Sequence, residues 1–293
     1  MKYGLNLSFA VKRWLEPEIL AAMCKDDFNV DVVQFTWDLI DPWWPEKYRD
    51  PMVLKYKEAF EKNNVKIESS FGGLASYSFA HFLAPDENQR LAALEFFKRA
   101  VDMTRLMGVD VIGSPIGGMS NFESNDPKLR QLRYDEALKL LLDLAEYAHA
   151  KGIKKFLIEP TPLLTEFPHS PKVSNKLVDD LNETSPIPFE LIVDWGHAIM
   201  EPILKEEADM EKWLIDCKGN VGGVHLQQTD GIYDRHWDFT KEGIITRELV
   251  EEVANNSNTS DLVQFLEFVY AFEETDEVVY EGVKKSLAYL RGE

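Results

Sequence analysis

YDEALKLLLDLAEYAHAKGIKKFLIEP, residues 134–160, changes its period halfway along. As far as Lys151, apolar residues recur every three or four positions, which lines one face of a helix. Gly152 stands where a left-handed helix cap is expected. KKFLIEP (154–160) is then a short apolar run of strand type that ends in a carboxylate, Glu159. A helix that feeds directly into a buried strand is the repeating step of a parallel α/β fold.

The same step recurs in both directions from here. KYGLNLS (2–8) precedes PEILAAMCKD (17–26), VDVVQFT (30–36) precedes PMVLKYKEAFEKN (51–63), and VKIESSF (65–71) precedes ENQRLAALEFFKRAVDMTRLM (87–107), which stops at Gly108. VDVIGSP (109–115) leads into the quoted helix at 134–151. Past KKFLIEP comes SPKVSNKLVDDLN (170–182), with Ser170 as cap and Pro171 in the first turn. FELIVDW (189–195) pairs with EADMEKWLIDCK (207–218), and VGGVHLQ (221–227) with TRELVEEVANN (246–256). LVQFLEFVY (262–270) pairs with TDEVVYEGVKKSLAYLRG (275–292). These are eight strand–helix pairs with no spare element and no linker. A doubly wound sheet also accommodates eight parallel strands, but near-equal units over 293 residues fit a single-domain (β/α)8 TIM barrel, residues 1–293, better. Gly117-Gly118 is a lone pair, and the chain holds neither a dinucleotide fingerprint nor a P-loop.

Composition narrows the partners. Acidic residues outnumber basic ones 51 to 32, a net charge of −19 that repels phosphate backbones, so nucleic acid is excluded as the default partner. Cys24 and Cys217 are the only cysteines and form no pairing motif, which points to a reducing compartment. MKYGLNLSFAVKRW has too short an apolar core for a signal peptide, and no run approaches the roughly 18 apolar residues of a membrane span. The expectation is a soluble cytoplasmic protein that touches no membrane.

In such a barrel the active site is built at the C-terminal ends of the strands. Strand five ends in Glu159, and strand six in Asp194, with His197 three residues on. Strand seven carries His225, and its loop brings Asp230, Asp234, His236 and Asp238; strand eight carries Glu267. QFLEFVY places Glu267 inside an apolar run, where an unpaired carboxylate would cost several kcal/mol or shift its pKa. It is therefore expected to face a cation or the barrel mouth. Carboxylates on strands five, six and eight and an imidazole on strand seven can converge on one divalent ion. Mixed oxygen and nitrogen donors suit Mn²⁺, Mg²⁺ or Co²⁺, with Zn²⁺ also compatible.

At these residues the sequence resembles the xylose isomerase-like barrel superfamily, which includes ketose 3-epimerases, sugar-phosphate isomerases and apurinic-site endonucleases. The motifs are IEP (158–160), VDWGH (193–197), VHLQQTD (224–230), DRHWDFTKEG (234–243) and FLEF (265–268). The resemblance to the epimerases implies Glu159, Asp194, His225 and Glu267 as metal ligands, Glu159 and Glu267 also as acid and base, and His197 as a substrate contact. Glu166 is similar to a substrate-contacting glutamate of that family. Asp234 and His236 match a zinc-binding pair of the endonucleases, completed there by the counterpart of His197. Those enzymes draw two further histidines from strands two to four, and ESSFGG and GSPIGG here offer none. The alternative to a sugar enzyme is thus a zinc-dependent phosphodiesterase, and a second metal at His197, Asp234 and His236 is the corresponding variant of the site. Otherwise Arg235 or His236 holds the distal end of a substrate.

The chemistry implied is proton transfer next to a carbonyl. A divalent ion on the carbonyl and neighbouring hydroxyl stabilises an enediolate, and carboxylates on its two sides remove and return the proton. Transfer across both faces gives an epimerase; transfer between adjacent carbons on one face gives an aldose–ketose isomerase. Lys12 in the first loop and Arg235 in the seventh are candidate phosphate contacts. Trp195, with other tryptophans near strand ends, can wall a small pocket. The expected partner is a short sugar or sugar phosphate, such as a tetrulose or pentulose phosphate, and a homodimer is compatible with the architecture.

Overall fold

The computed structural model describes residues 1–293. Eight strands close in chain order into a barrel: β1 (Lys2–Asn6), β2 (Val32–Thr36), β3 (Lys66–Phe71), β4 (Val111–Ser114), β5 (Lys155–Ile158), β6 (Phe189–Asp194), β7 (Val221–Leu226) and β8 (Val263–Leu266). Every neighbouring pair is parallel, and β1 meets β8 through Lys2↔Val263 to Leu5↔Leu266 to complete the circle.

The wall is packed by helices α1 (Pro17–Ala22), α2 (Glu46–Lys62), α3 (Glu87–Leu106), α4 (Pro127–Lys151), α5 (Pro171–Asn182), α6 (Met210–Asp216), α7 (Arg247–Asn256) and α8 (Asp276–Arg291). Gly108 and Gly152 sit at φ +84° and +86° beyond α3 and α4, the left-handed caps that their positions imply. No helix is long and apolar enough to cross a membrane.

Side chains alternate across each strand, so every second residue points into the barrel. Val32, Phe71, Leu157, Ile192 and Phe265 form a small apolar plug there, separate from the large core between barrel and helices. Glu159, Asp194 and Glu267 each stand two residues beyond a plug residue, Leu157, Ile192 and Phe265 respectively. Period two therefore lifts all three onto one layer above the plug. Gly4 and Gly113 make room beneath: a Cβ at Gly4 would lie 2.9 Å from Phe265 Cδ1, and one at Gly113 would lie 2.6 Å from Phe71 Cε2.

Some boundaries differ from the sequence reading. α4 begins at Pro127, seven residues before the apolar periodicity; Asp126 caps it by accepting from Lys128 N and Leu129 N, and its first turns are charged. α2 begins at Glu46 and carries Pro51 inside it. Its first turn is anchored by the buried Arg49, which donates to the Pro42 carbonyl. α6 is shorter than expected because Asp209 caps it through Lys212 N. Ser170 occupies the N-cap of α5, but its side chain makes no capping bond. Short helices at Leu74–Tyr77, Asn121–Ser124, Trp195–Ala198 and Glu201–Leu204 fill the loops after β3, β4 and β6, so spare elements do exist.

Candidate active site

Glu159, Asp194, His225 and Glu267 each offer a ligand atom within 4.8 Å of the others, and all four are buried. Three carboxylates and one imidazole meet there without a lysine or arginine among them. Each carboxylate has one oxygen tied to a protein donor and the other left over. Asp194 Oδ1 accepts from His197 N and from Gln227 Nε2, both at 2.9 Å, while Oδ2 has no partner. Glu267 Oε1 accepts from Asn6 Nδ2 at 3.0 Å, while Oε2 has none. Glu159 Oε2 accepts the hydroxyl of Tyr77, and Oε1 lies 2.9 Å from His225 Nδ1.

The orientation of His225 follows from its far nitrogen. Gln34 Oε1, which also accepts from Asn6 Nδ2, lies 2.7 Å from His225 Nε2, and Gln34 Nε2 donates to Ser69 Oγ. His225 Nε2 is then the donor, and Nδ1 presents its lone pair between Glu159 Oε1 at 2.9 Å and Glu267 Oε2 at 3.0 Å. A lone pair between two carboxylate oxygens requires positive charge. Burial opposes a charged imidazole, yet the Glu267 and Glu159 carboxylates push His225 up to about 10. Burial alone would raise Glu267, but His225 outweighs it and the carboxyl is held below its ordinary range. Asp194 is raised to about 6 by burial, with His197 and His236 acting in the opposite direction. An unpartnered Asp194 oxygen, a His225 Nδ1 position that takes either a proton or an ion, and excess negative charge fit a divalent cation.

A second cluster lies beside the first. The chain after β7 folds back so that Gln228 and Trp237 exchange backbone hydrogen bonds, which sets Asp234 and His236 over the barrel mouth. His197 Nδ1 lies 3.0 Å from the Pro160 carbonyl, and His236 Nδ1 lies 3.3 Å from the Glu267 carbonyl. With those nitrogens donating, both Nε2 atoms face Asp234 Oδ2, at 3.2 and 2.9 Å. Against burial, Asp234 leads the carboxylates that push His236 up to about 10, and it raises His197 well above the ordinary imidazole range. Gln227 joins the clusters, donating to Asp194 Oδ1 and to Asp234 Oδ1 and accepting from His236 N.

The other sequence candidates are distributed around this centre. Glu166 is half-buried, bridges Gly118 by backbone pairing, and is raised by burial. The Arg235 guanidinium is bound by Asp230, at 3.0 and 2.7 Å, between the Tyr233 and Trp237 rings. Lys12 lies 4.2 Å over the Phe272 ring. Trp195 is 2% exposed and packs into the core instead of walling a pocket. Trp43 and Trp44, by contrast, line a cavity of about 460 Å³ at the ends of β2 and β3.

Asn6, Gln34, Gln227 and Tyr77 are absent from the sequence reading. Asn6 and Gln34 carry the signal that singled out Glu267, a polar side chain at an inward position of an apolar strand. Gln227 follows His225 by the strand period. Tyr77 comes from a loop and carries no such signal.

Comparison with known proteins agrees with the barrel fold. Residues 26–271 match the family model of the xylose isomerase-like TIM barrel. The chain is 23% identical over 238 residues to the D-erythrulose 1-phosphate 3-epimerase of Brucella abortus (strain 2308), covering 81% of this chain and 76% of that one. A crystal structure of a putative xylose isomerase from Rhodospirillum rubrum is 42% identical, with a TM-score of 0.98 over 100% of this chain and 99% of that one. The D-psicose 3-epimerase of Clostridium cellulolyticum H10, solved with D-tagatose, shares the fold at 14% identity and a TM-score of 0.71, over 100% and 99% of the two chains. With its closed barrel and four converging acidic and imidazole side chains, the chain belongs to the xylose isomerase-like TIM barrel family, as an isomerase.

Proposed function

We propose that the protein is a divalent-metal-dependent epimerase or isomerase of a short ketose or ketose phosphate, working through an enediolate. The observation that carries this reading is the placing of Glu159 and Glu267 oxygens 2.9 and 3.0 Å from the same imidazole nitrogen, on different strands. Glu159, Asp194, His225 and Glu267 would hold the ion, with Mn²⁺, Mg²⁺, Co²⁺ and Zn²⁺ all suited to the donor set. When bound, such an ion polarises the substrate carbonyl and lowers the cost of charge on its oxygen. One glutamate takes the proton from the neighbouring carbon and the other supplies one, which inverts that carbon when they act from opposite faces. His197, His236 and Glu166 are the residues we assign to substrate hydroxyls, supported by the nearness of His197 and His236 to the four-residue cluster. A tetrulose phosphate is favoured by the Brucella relative, and Lys12, which makes no ion pair with an acidic side chain, is the candidate phosphate contact. The buried thiols of Cys24 and Cys217 suit a reducing, cytoplasmic setting.

A phosphodiesterase would draw on the His197–Asp234–His236 cluster as a further metal site. The ends of β3 and β4 carry Phe71 and Ser114, and neither is a zinc ligand. The test is proton exchange measured together with metal content. Mn²⁺-loaded protein in D2O is given free and phosphorylated four- to six-carbon ketoses and followed by NMR. Deuterium next to the carbonyl, abolished by EDTA and by Glu267→Gln, is the expected result. Several tightly held zinc ions per chain without exchange on any ketose would overturn it.

A further inference from the structure

The aromatic cavity at the ends of β2 and β3 takes no part in the chemistry described so far. Its lining includes none of Glu159, Asp194, His225 and Glu267, and none of His197, Asp234 and His236. It encloses about 460 Å³, a volume suited to one ring and a short chain. Trp37, Trp43, Trp44, Phe79 and Phe96 form the walls, with Trp37 and Trp43 leaning on Phe96 at centroid distances of 5.5 and 6.0 Å. Trp43, Trp44 and Phe79 are exposed, so the rim presents large apolar rings to solvent.

His81 lines the same cavity and points to a ligand. Its side chain is 7% exposed, stacked on Phe96 at 5.8 Å and edge-on to Phe97 at 5.2 Å, yet Nε2 has no hydrogen-bond partner. Burial pushes the imidazole down to about 4, against a hydrogen bond to the Ser76 backbone, so the ring is neutral near neutrality. A neutral imidazole that donates from one nitrogen carries a lone pair on the other. Nε2 is thus a buried acceptor without a donor, which is costly to leave unmet. Two carboxylates supply the charge. Asp38 accepts from Leu74 N at 2.6 Å and Ala75 N at 3.2 Å, and Asp41 accepts from Trp43 N at 2.8 Å. Those donors are neutral backbone groups, and no lysine or arginine lines the cavity. Arg99 stacks on the Trp43 ring at 4.9 Å, but it pairs with Glu95 and lies outside the lining. Aromatic faces, uncompensated carboxylates and a free lone pair all select for positive charge that carries N–H groups.

We propose that this cavity is a second ligand site, built for a small organic cation that joins an apolar ring to a primary ammonium group. The ring fills the space among the tryptophans, Asp38 and Asp41 balance the charge, and an N–H meets His81 Nε2. The site owes nothing to the metal centre.

Isothermal titration calorimetry of the full chain with 2-phenylethylammonium chloride tests this, in EDTA so that catalysis plays no part. One-to-one binding with a Kd below about 1 mM is expected. 2-Phenylethanol, with the ring and a donor but no charge, should bind about tenfold more weakly. Ethylammonium, with charge but no ring, and the anion 3-phenylpropanoate should give no measurable heat. Asp41→Asn keeps an acceptor for Trp43 N while removing a charge, and Trp44→Ala removes one wall; each should weaken binding about fivefold or more. His81→Phe keeps the stack but not the lone pair, and should erase the preference for the primary ammonium over its trimethylated form. Absence of binding, equal affinity for ammonium and alcohol, or affinity unchanged in both Asp41→Asn and Trp44→Ala would overturn the proposal. Self-association that Trp44→Ala abolishes, without ligand binding, would overturn it too and assign the rings to a second copy of the chain. Melting temperatures, measured alongside, identify a variant that has not folded.

Discussion

His225 is oriented by a partner outside the four-residue cluster. Gln34 accepts from its Nε2 and is itself fixed by Asn6 and Ser69, so the amide decides which imidazole nitrogen is free. Outer hydrogen bonds of this kind orient a metal-binding imidazole and tune its basicity. Gln34→Leu should weaken Mn²⁺ binding about tenfold to a hundredfold, measured by calorimetric titration, while the fold persists. The four residues of the cluster were legible one by one because each is a charged or imidazole group at the end of an apolar strand. Gln34 obeys the same rule, but an amide carries no charge to make its burial conspicuous. The tautomer of His225 depends on a contact between β2 and β7 and so cannot be read from either segment alone.

Among the elements, α4 and its cap show which signals were local. Gly152 adopts φ +86°, where a side chain is strained, and the nearest atoms to an added Cβ belong to Arg105 at 3.6 Å or more. Gly152→Ala should therefore cost about 1 kcal/mol through backbone strain alone, read as a lower denaturation midpoint with unchanged slope and unchanged activity per folded molecule. Such stops are written in single residues, and all eight strands follow from short apolar runs. Starts were harder. α4 opens with two charged turns that pack little, and its cap Asp126 precedes the apolar face by eight positions. The short helix Leu74–Tyr77 is held by Asp38 from the preceding βα loop, so no local pattern announces it.

For the barrel as one body, the dominant fact is concentrated negative charge with an imidazole at its centre. The Glu267 and Glu159 carboxylates push His225 up to about 10, so on the proposed reading an ion that binds Nδ1 below that pH displaces a proton. Binding is then weakest in acid and strengthens as pH rises toward 10, about tenfold per pH unit for one proton released. If the ion binds only the folded centre, as the proposed function requires, a hundredfold excess over Kd should add about 2.7 kcal/mol of stability. Scanning calorimetry should show a higher melting temperature with Mn²⁺ than with EDTA, and a gap that widens between pH 6 and pH 8. A gap that narrows over that range would contradict the proton count.

Glu267 takes its hydrogen bond from Asn6, across the seam where β8 meets β1. The first and last strands of the barrel therefore meet at the buried cluster. A chain made only as far as β7 holds Glu159, Asp194 and His225 but lacks Glu267 and the closing strand. On the proposed reading, a chain cut short before β8 would lack Glu267 and the strand that closes the barrel, and so would neither hold the ion nor turn over substrate.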